Sequence, residues 1–270
     1  MKFKYLVGKI KYKLLINKNY EDNMKITVLG SGGAYGTPKA LNRYNNIVDL
    51  SNKKNLRTRS SLFIEDNNSS FMVDCGPDFR MQTLRNNIAD IDDIFISHAH
   101  TDHIMGVWEL TDIASKLKKE INIYSEKEVL DTIKSRFPFI FEDGFHEIGV
   151  GRLILREIMP YEKFKMQHSG FELLPLIFTH KAINSYGFKY KNFVFTPDLN
   201  EIPIESRKYL YNLDLWIIEN NNLIPKLNGH SHIEQNLERI KEYKPKKVIL
   251  NHLSENIDYE SVSKMLPENV

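Results

Sequence analysis

Hydrophobic and polar positions along the chain switch between a period of two and a period near four. Ile26–Leu29 alternates, which predicts a strand, and it runs into a glycine-rich loop, Gly30-Ser-Gly-Gly-Ala-Tyr-Gly36. Ser60–Glu65 and Ser70–Asp74 read as a hairpin with its turn at Asp66-Asn-Asn-Ser69. Pro77 opens a helix to about Arg85, because proline is favoured in a first turn. Ile91–Ser97 is an apolar strand. Leu110, Ala114 and Leu117 share one face of a helix over Val107–Lys119, and Val129, Ile133 and Phe137 share one over Glu126–Phe137. Ile121–Tyr124 is a short strand between them. After an aromatic, loop-like stretch at 138–150, strands are predicted at 152–158, 171–178, 186–190 and 192–196. Leu213–Ile218, apolar except for Asp214, is another. Ile233, Leu237 and Ile240 mark a helix, Lys247–Leu250 the strand after it, and Tyr259–Leu266 a last short helix. Strands lead, and mixed strands and helices follow in both halves, which argues for one α/β domain.

Two stretches stand outside this pattern. Residues 1–20 carry six lysines and no acid, interleaved with apolar residues such as Phe3, Tyr5, Ile10 and Leu14. Such a basic amphipathic stretch suits a membrane surface, but it lacks the apolar core and cleavage site of a secretory signal. Residues 1–23 are expected to be an extension outside the fold, with the domain occupying 24–270 and Met24 opening its first strand. The glycine loop is not a dinucleotide fingerprint. Counted from Gly30, the third glycine would fall on Tyr35, and Pro38 and a polar stretch follow in place of a helix.

Composition narrows the function classes. With 41% hydrophobic and 27% charged residues over 270 positions, the chain can build a sizeable core. A single cysteine, Cys75, excludes an internal disulfide framework and any metal site made of several cysteines. The formal charge is +2, which offers little to a polyanion and argues against nucleic acid as partner. No apolar run approaches the ~18 residues of a membrane span.

The chemistry is concentrated after the strand Ile94–Ser97, in His98-Ala-His100-Thr-Asp102-His103. Imidazole and carboxylate suit zinc, iron or manganese. In an extended chain His98 and His100 point the same way and can reach one metal. Asp102 and His103, on the turn beyond, can reach a second. Unliganded, such a cluster would be costly to bury.

H-x-H-x-D-H after a hydrophobic strand resembles the metallo-β-lactamase superfamily, and the remainder of the chain matches in order from about Met24 to Pro267. The superfamily's further ligands are a third histidine, a bridging aspartate and a late histidine. Here strands end at His180, after Leu173–Thr179, at Asp198, after Phe193–Pro197, and at His252, after Val248–Asn251. Asp74-Cys-Gly-Pro-Asp-Phe79 is similar to the family's acidic turn behind the metals, with Asp74 expected to orient a metal-bound imidazole. Within the superfamily the chain resembles the cyclic phosphodiesterase branch, of the phosphoribosyl 1,2-cyclic phosphate phosphodiesterase kind. The shared features are Arg57-Thr-Arg-Ser-Ser61, Asp198-Leu-Asn-Glu-Ile-Pro203 and His230 ahead of the last ligand. It departs from that branch in lacking a cysteine-rich structural metal site, and in having Asn251 where relatives often have threonine.

The resemblance implies a four-layer αβ/βα sandwich, the metallo-β-lactamase fold, and two divalent ions, zinc or manganese. It assigns His98, His100 and His180 to the first ion, Asp102, His103 and His252 to the second, and Asp198 to both. It implies a cytoplasmic hydrolase of small, cyclic or open phosphodiesters, in which the ions share a hydroxide that attacks phosphorus. His230 would protonate the leaving group, so that His230, Asp102 and Asp198 form the catalytic set. His168 is the alternative third ligand, and His232 the alternative proton donor. Arg57, Arg59, Arg80 and Arg85 are surface charges by default, one or two of which could grip a phosphate. Trp108 and Trp216 are expected in the core, and His146 at a structural or solvent-facing position. The competing functions are another hydrolase on the same site (a lactonase, a thioesterase or an RNA-processing nuclease) and a non-catalytic metal-binding protein. The sequence does not set the oligomeric state, and a homodimer is open.

Overall fold

The computed structural model describes residues 24–41, 48–142, 151–226 and 229–270, together with the backbone of Tyr12 and Lys13. The rest of the basic extension and His146 lie outside the described residues. Two sheets form. In the first, β1 (Tyr12–Lys13), β2 (Lys25–Gly30), β3 (Ser61–Asp66) and β4 (Ser69–Val73) pair antiparallel in chain order. The β3–β4 turn is two residues, Asn67 and Asn68, both at positive φ, as a tight hairpin requires. After α1 (Phe79–Asn86), β5 (Asp93–Phe95) joins in parallel. α2 (Thr101–Ile104) and α3 (Val107–Leu117) lead to β6 (Glu120–Ser125), and α4 (Lys127–Arg136) to β7 (Arg152–Glu157), both parallel again. In the second sheet β8 (Phe164–Lys165), β9 (Glu172–His180), β10 (Ile183–Tyr190) and β11 (Phe193–Thr196) are antiparallel neighbours. β12 (Leu215–Glu219) and β13 (Val248–Asn251) add in parallel, connected through α5 (Ile204–Arg207) and α6 (Ile233–Tyr243). α7 (Tyr259–Ser263) follows.

Alternation along the strands separates three cores and so fixes four layers. Leu62 and Ile64 of β3 and Phe95 of β5 meet Phe188, Phe193, Phe195 and Ile217 between the sheets. Their neighbours point outward: Met72, Ile94 and Ile123 pack under Phe79, Leu110 and Ile133 of the helices. On the other side Val194, Trp216 and Ile218 pack under Ile240 and Tyr243 of α6. β12 is buried on both faces, which is why Leu215–Ile218 is continuously apolar before Glu219 closes the strand. The expected αβ/βα sandwich is therefore the observed one. No helix among the described residues is long and apolar enough to cross a membrane.

Several local expectations are corrected. Trp108 is 48% exposed, not core. The buried face of α3 is Val107, Leu110, Thr111 and Ala114, and position 108 falls off it, leaving the indole against Phe139 at a centroid distance of 5.2 Å. Arg57 is buried, not a surface charge. Its guanidinium donates to the carbonyls of Ile257 (2.7 Å) and Ser254 (3.2 Å), which anchors the C-terminal segment. β10 begins at Ile183, three residues earlier than the pattern indicated, because only Lys181 and Ala182 turn the chain between His180 and Ile183. Asp102 and His103 ride on a short helix, not a turn.

The glycine loop closes one end of the sandwich. Gly32 N–H donates to Thr58 O and Gly33 N–H to Leu253 O, both at 2.8 Å, so the loop links the segment leading into β3 to the residue after His252. The opposite end is tied by buried Asp93, which accepts from His168 N–H (3.2 Å), Ser169 N–H (2.6 Å) and Asn122 Nδ2 (3.0 Å).

Candidate metal centre

Strands β4, β5, β9, β11, β12 and β13 all end at one edge, and each end contributes a polar side chain. Asp74 follows β4, Ser97 and His98 follow β5, and His180 closes β9. Asp198 follows β11, Glu219 closes β12, and His252 follows β13. His100 caps α2 with extended backbone (φ −67°, ψ 151°), after which α2 carries Asp102 and His103 inward. Gly76 lets that helix approach: a Cβ there would lie 2.0 Å from Asp102 O. Asp74 and His252 both have positive φ, 58° and 55°, a strained conformation for non-glycine residues and one that gathers at functional sites.

All seven sequence-predicted ligands converge. His98, His100, His180 and Asp198 form one group and Asp102, His103, Asp198 and His252 another, with the donor atoms of each group within 4.8 Å of one another. Asp198 faces both. Its Oδ2 lies 3.7 Å from His98 Nε2 and 3.7 Å from His180 Nε2, and its Oδ1 lies 3.5 Å from His103 Nε2 and 3.2 Å from His252 Nε2. Tetrahedral nitrogen and oxygen ligands at about 2.0–2.1 Å from an ion stand about 3.3 Å apart, so these separations fit metal shells. The donors fit too: buried His103 Nε2, His180 Nε2 and Asp198 Oδ1 have no hydrogen-bond partner, a costly state that a cation relieves.

The other nitrogen of most rings is held. His103 Nδ1 bonds Asp74 Oδ2 (2.7 Å), and Ser97 Oγ lies 3.0 Å from both Asp74 Oδ2 and His98 Nδ1. His180 Nδ1 donates to Gly229 O (2.8 Å). Such partners fix ring orientation and tautomer. Burial pushes the His98 imidazole well below its usual range and the His180 imidazole down to about 4, keeping both neutral with lone pairs available. Burial also pulls on His103 and His252, but the carboxylates around them, Asp102 and Asp198 among them, outweigh it and hold both rings up. The same pairs, against burial, keep Asp102 and Asp198 ionised.

His230 lies beside the two groups, not in either. Its ring stacks on His252 (5.4 Å, 19°) and tilts against His180 (4.5 Å), and its Nδ1 is 3.9 Å from Asp198 Oδ2. Glu219, which sequence reasoning missed, accepts from His230 Nδ1 (3.1 Å), Asn221 N–H (2.9 Å) and Ser231 N–H (3.0 Å). It is fully buried, and burial raises its carboxyl. The signal was present: Glu219 is a charged residue closing an apolar strand, as His180 does. His232 instead caps α6, accepting weakly from Gln235 N–H. His168 is exposed at the edge held by Asp93 and takes no part. Arg59 is paired with Asp78 (3.0 Å), and Arg80 and Arg85 are exposed on α1.

The chain is 29% identical over 232 residues, 86% of its length, to the Octanoyltransferase of Porphyromonas gingivalis, and the match spans 46% of that protein. It is 31% identical over 147 residues, 53% of its length, to the Ribonuclease Z of Methanococcus aeolicus, of which the match spans 39%. The chain thus spans less than half the length of these curated relatives. In structure it is similar to a diphosphatase from the PhnP family, with a TM-score of 0.79, 22% identity, and 91% of this chain and 93% of the other covered. A family profile described as a beta-lactamase superfamily domain matches residues 70–253, from β4 to just past His252 and so across the whole ligand set. The chain belongs to the beta-lactamase superfamily.

Proposed function

We propose that the chain is a metal-dependent phosphodiesterase of small phosphodiesters, cyclic ones included. The observation that carries this reading is the pair of four-donor groups sharing Asp198, with the His230–Glu219 pair alongside. His98, His100, His180 and Asp198 would hold one divalent ion, and Asp102, His103, His252 and Asp198 the other, zinc or manganese. When bound, two such ions supply an activated water at neutral pH and stabilise charge on phosphoryl oxygens.

The rest is done by the chain. Asp74, Ser97 and Gly229 O hold His103, His98 and His180 in orientation, so the donors need not reorganise. Asp198 sets the spacing of the two groups through its two oxygens. Glu219 accepts a hydrogen bond from His230 Nδ1–H and orients the ring, so that the doubly protonated imidazolium gives its Nε2 proton to the departing alkoxide oxygen and is left neutral. Ser231 and Asn221 N–H groups keep Glu219 in place. Asp102 and Asp198 complete the catalytic set by balancing the charge of the ions.

The phosphorus–oxygen bond class is supported by two relatives, a ribonuclease and a diphosphatase by name. RNA itself is disfavoured by a net charge of +2. A second reading, hydrolysis of acyl esters or thioesters, is favoured by the likeness to the octanoyltransferase. A screen of zinc- and manganese-loaded protein against cyclic and open phosphodiesters, lactones and an octanoyl thioester decides between them. The expected result is turnover of phosphodiesters that a chelator abolishes. Turnover confined to the lactone or thioester would replace this reading with the second.

A further inference from the structure

Arginine is seldom buried unless it is held, and Arg239 of α6 is buried. Its guanidinium meets three oxygens. Nη1 donates to Ser231 Oγ (2.7 Å) and Asn236 Oδ1 (2.9 Å), and Nη2 donates to Asn200 O (2.6 Å). Each acceptor leads to a different residue of the site. Asn200 stands two positions after Asp198, on the loop that leaves β11. Ser231 follows His230; its hydroxyl donates onward to Leu199 O (2.8 Å), and its N–H donates to Glu219 Oε2 (3.0 Å). Asn236 Nδ2 donates to Glu219 O (2.8 Å) and to Asn220 Oδ1 (2.9 Å). One side chain thus joins the loop of the shared aspartate, the end of β12 and the turn that carries His230. The direction of these bonds is set. Ser231 gives its hydroxyl proton to Leu199 O, so its oxygen takes a donor, and a charged donor strengthens the chain beyond it. The charge has a counterpart as well. Burial lowers the guanidinium to about 10, and the Glu219 carboxylate is the foremost charge opposing that fall.

We infer that Arg239 is a positioning residue for proton transfer: it locks Ser231 and Asn200 together, and so holds the His230–Glu219 pair in register with Asp198. A lysine would keep the charge but not the planar fork that serves three acceptors at once. The consequence for leaving groups rests on the phosphodiesterase reading above. The placement of the His230 ring does not.

The test reads the tautomer of His230 in the zinc-loaded, nitrogen-15-labelled full chain, by long-range nitrogen–proton correlation spectra at about pH 9, above the ordinary histidine range. Beside Glu219 the wild-type ring should carry its proton at Nδ1, because the partner of one ring nitrogen sets the tautomer. In Arg239→Lys the ring should become a mixture of both tautomers. The same variant should slow a diester with an alkoxide leaving group about ten- to a hundredfold at unchanged KM, the scale of a misplacement of about 1 Å, and leave a nitrophenyl diester near the wild-type rate. Arg57→Lys is the control. Arg57 is also a buried arginine that burial lowers to about 10, but it holds the carbonyls of Ser254 and Ile257. Its variant should lower the melting temperature comparably and change neither the tautomer nor the ratio of the two rates. Should Arg239→Lys fail to fold, Ser231→Ala, which removes the hydroxyl and keeps the N–H on Glu219, is read in the same way. A wild-type ring protonated at Nε2, an unchanged tautomer in the variant, equal slowing of both substrates, or the same shift in Arg57→Lys would overturn the inference. If the wild type turns over no phosphodiester but the tautomer still shifts in Arg239→Lys alone, the phosphodiesterase reading fails and the positioning role stands.

Discussion

In the proposed reading His230 gives a proton and holds no ion. Its ring bonds Glu219, stacks on His252 and tilts against His180, yet both four-donor groups are complete without it. His230→Ala is therefore expected to leave metal content intact and to slow turnover of substrates with alkoxide leaving groups by about 10²–10⁴-fold. A nitrophenyl phosphodiester, whose leaving group needs no proton, should suffer much less. Kinetics on the two substrate types with metal analysis of the same samples make the check. Equal losses on both would assign His230 a positioning role, and a lost ion would put it in a coordination shell. His232→Ala should be milder, since that ring only caps α6. At this scale the sequence was legible where a residue type is rare and its spacing tight: His98, His100, Asp102 and His103 declare themselves within six positions. Glu219 gave a weaker signal, a charged residue at the close of an apolar strand, and one glutamate among 35 acidic residues gains meaning only once that strand is known to end at the same edge.

The elements place the ligands by close packing, and two of them can be probed singly. Gly76 lies against the backbone of α2, so Gly76→Ala drives a methyl into Asp102 O, which has no side-chain freedom to yield. Urea unfolding should show a loss of about 1–3 kcal/mol, and calorimetry a weakened second metal group, since Asp102 and His103 move with that helix. Unchanged stability would mean the turn is looser than its contacts indicate. Asp258 caps α7 and ties it to the loop before β3, accepting from Ser261 N–H (2.9 Å), Ser261 Oγ (2.8 Å) and Asn55 Nδ2 (2.6 Å). Those bonds lower its carboxyl to about 2 from an ordinary 3.8. A carboxyl depressed by folding adds stability above its unfolded value and loses it as pH falls toward the folded one. Asp258→Ala should thus lower stability by about 1 kcal/mol at pH 7. The gap from wild type should close between about pH 3.8 and 2. A gap that does not change with pH would mean the side chain acts through packing, not charge. Elements with a sustained period, such as α3, α4 and β12, could be read along the chain. α2 and the start of β10 could not. Four residues carry no helical period, and Asn184 and Ser185 break the alternation that Tyr186 resumes.

The molecule as a whole gathers its polar strand ends at one edge and leaves the opposite edge to a structural carboxylate, Asp93. That division, more than any single ligand, is why the fold class followed from the order of strands and why histidines off that edge, such as His168, took no part. The basic extension adds only the two-residue pairing of β1 to the described fold, and every proposed ligand follows Met24. A chain begun at Met24 is expected to keep its kcat/KM on any active phosphodiester. A large loss with the fold retained would bring the extension into the site. Seven residues, with Asp198 shared, are proposed to hold two divalent ions at once, and native mass spectrometry of the reconstituted full chain counts those ions. The wild type should carry two zinc or two manganese ions per chain, and Asp198→Asn fewer. A chain that stays near zero or one ion at saturating metal, with Asp198→Asn indistinguishable from it, would show that the two groups do not act as a dinuclear site.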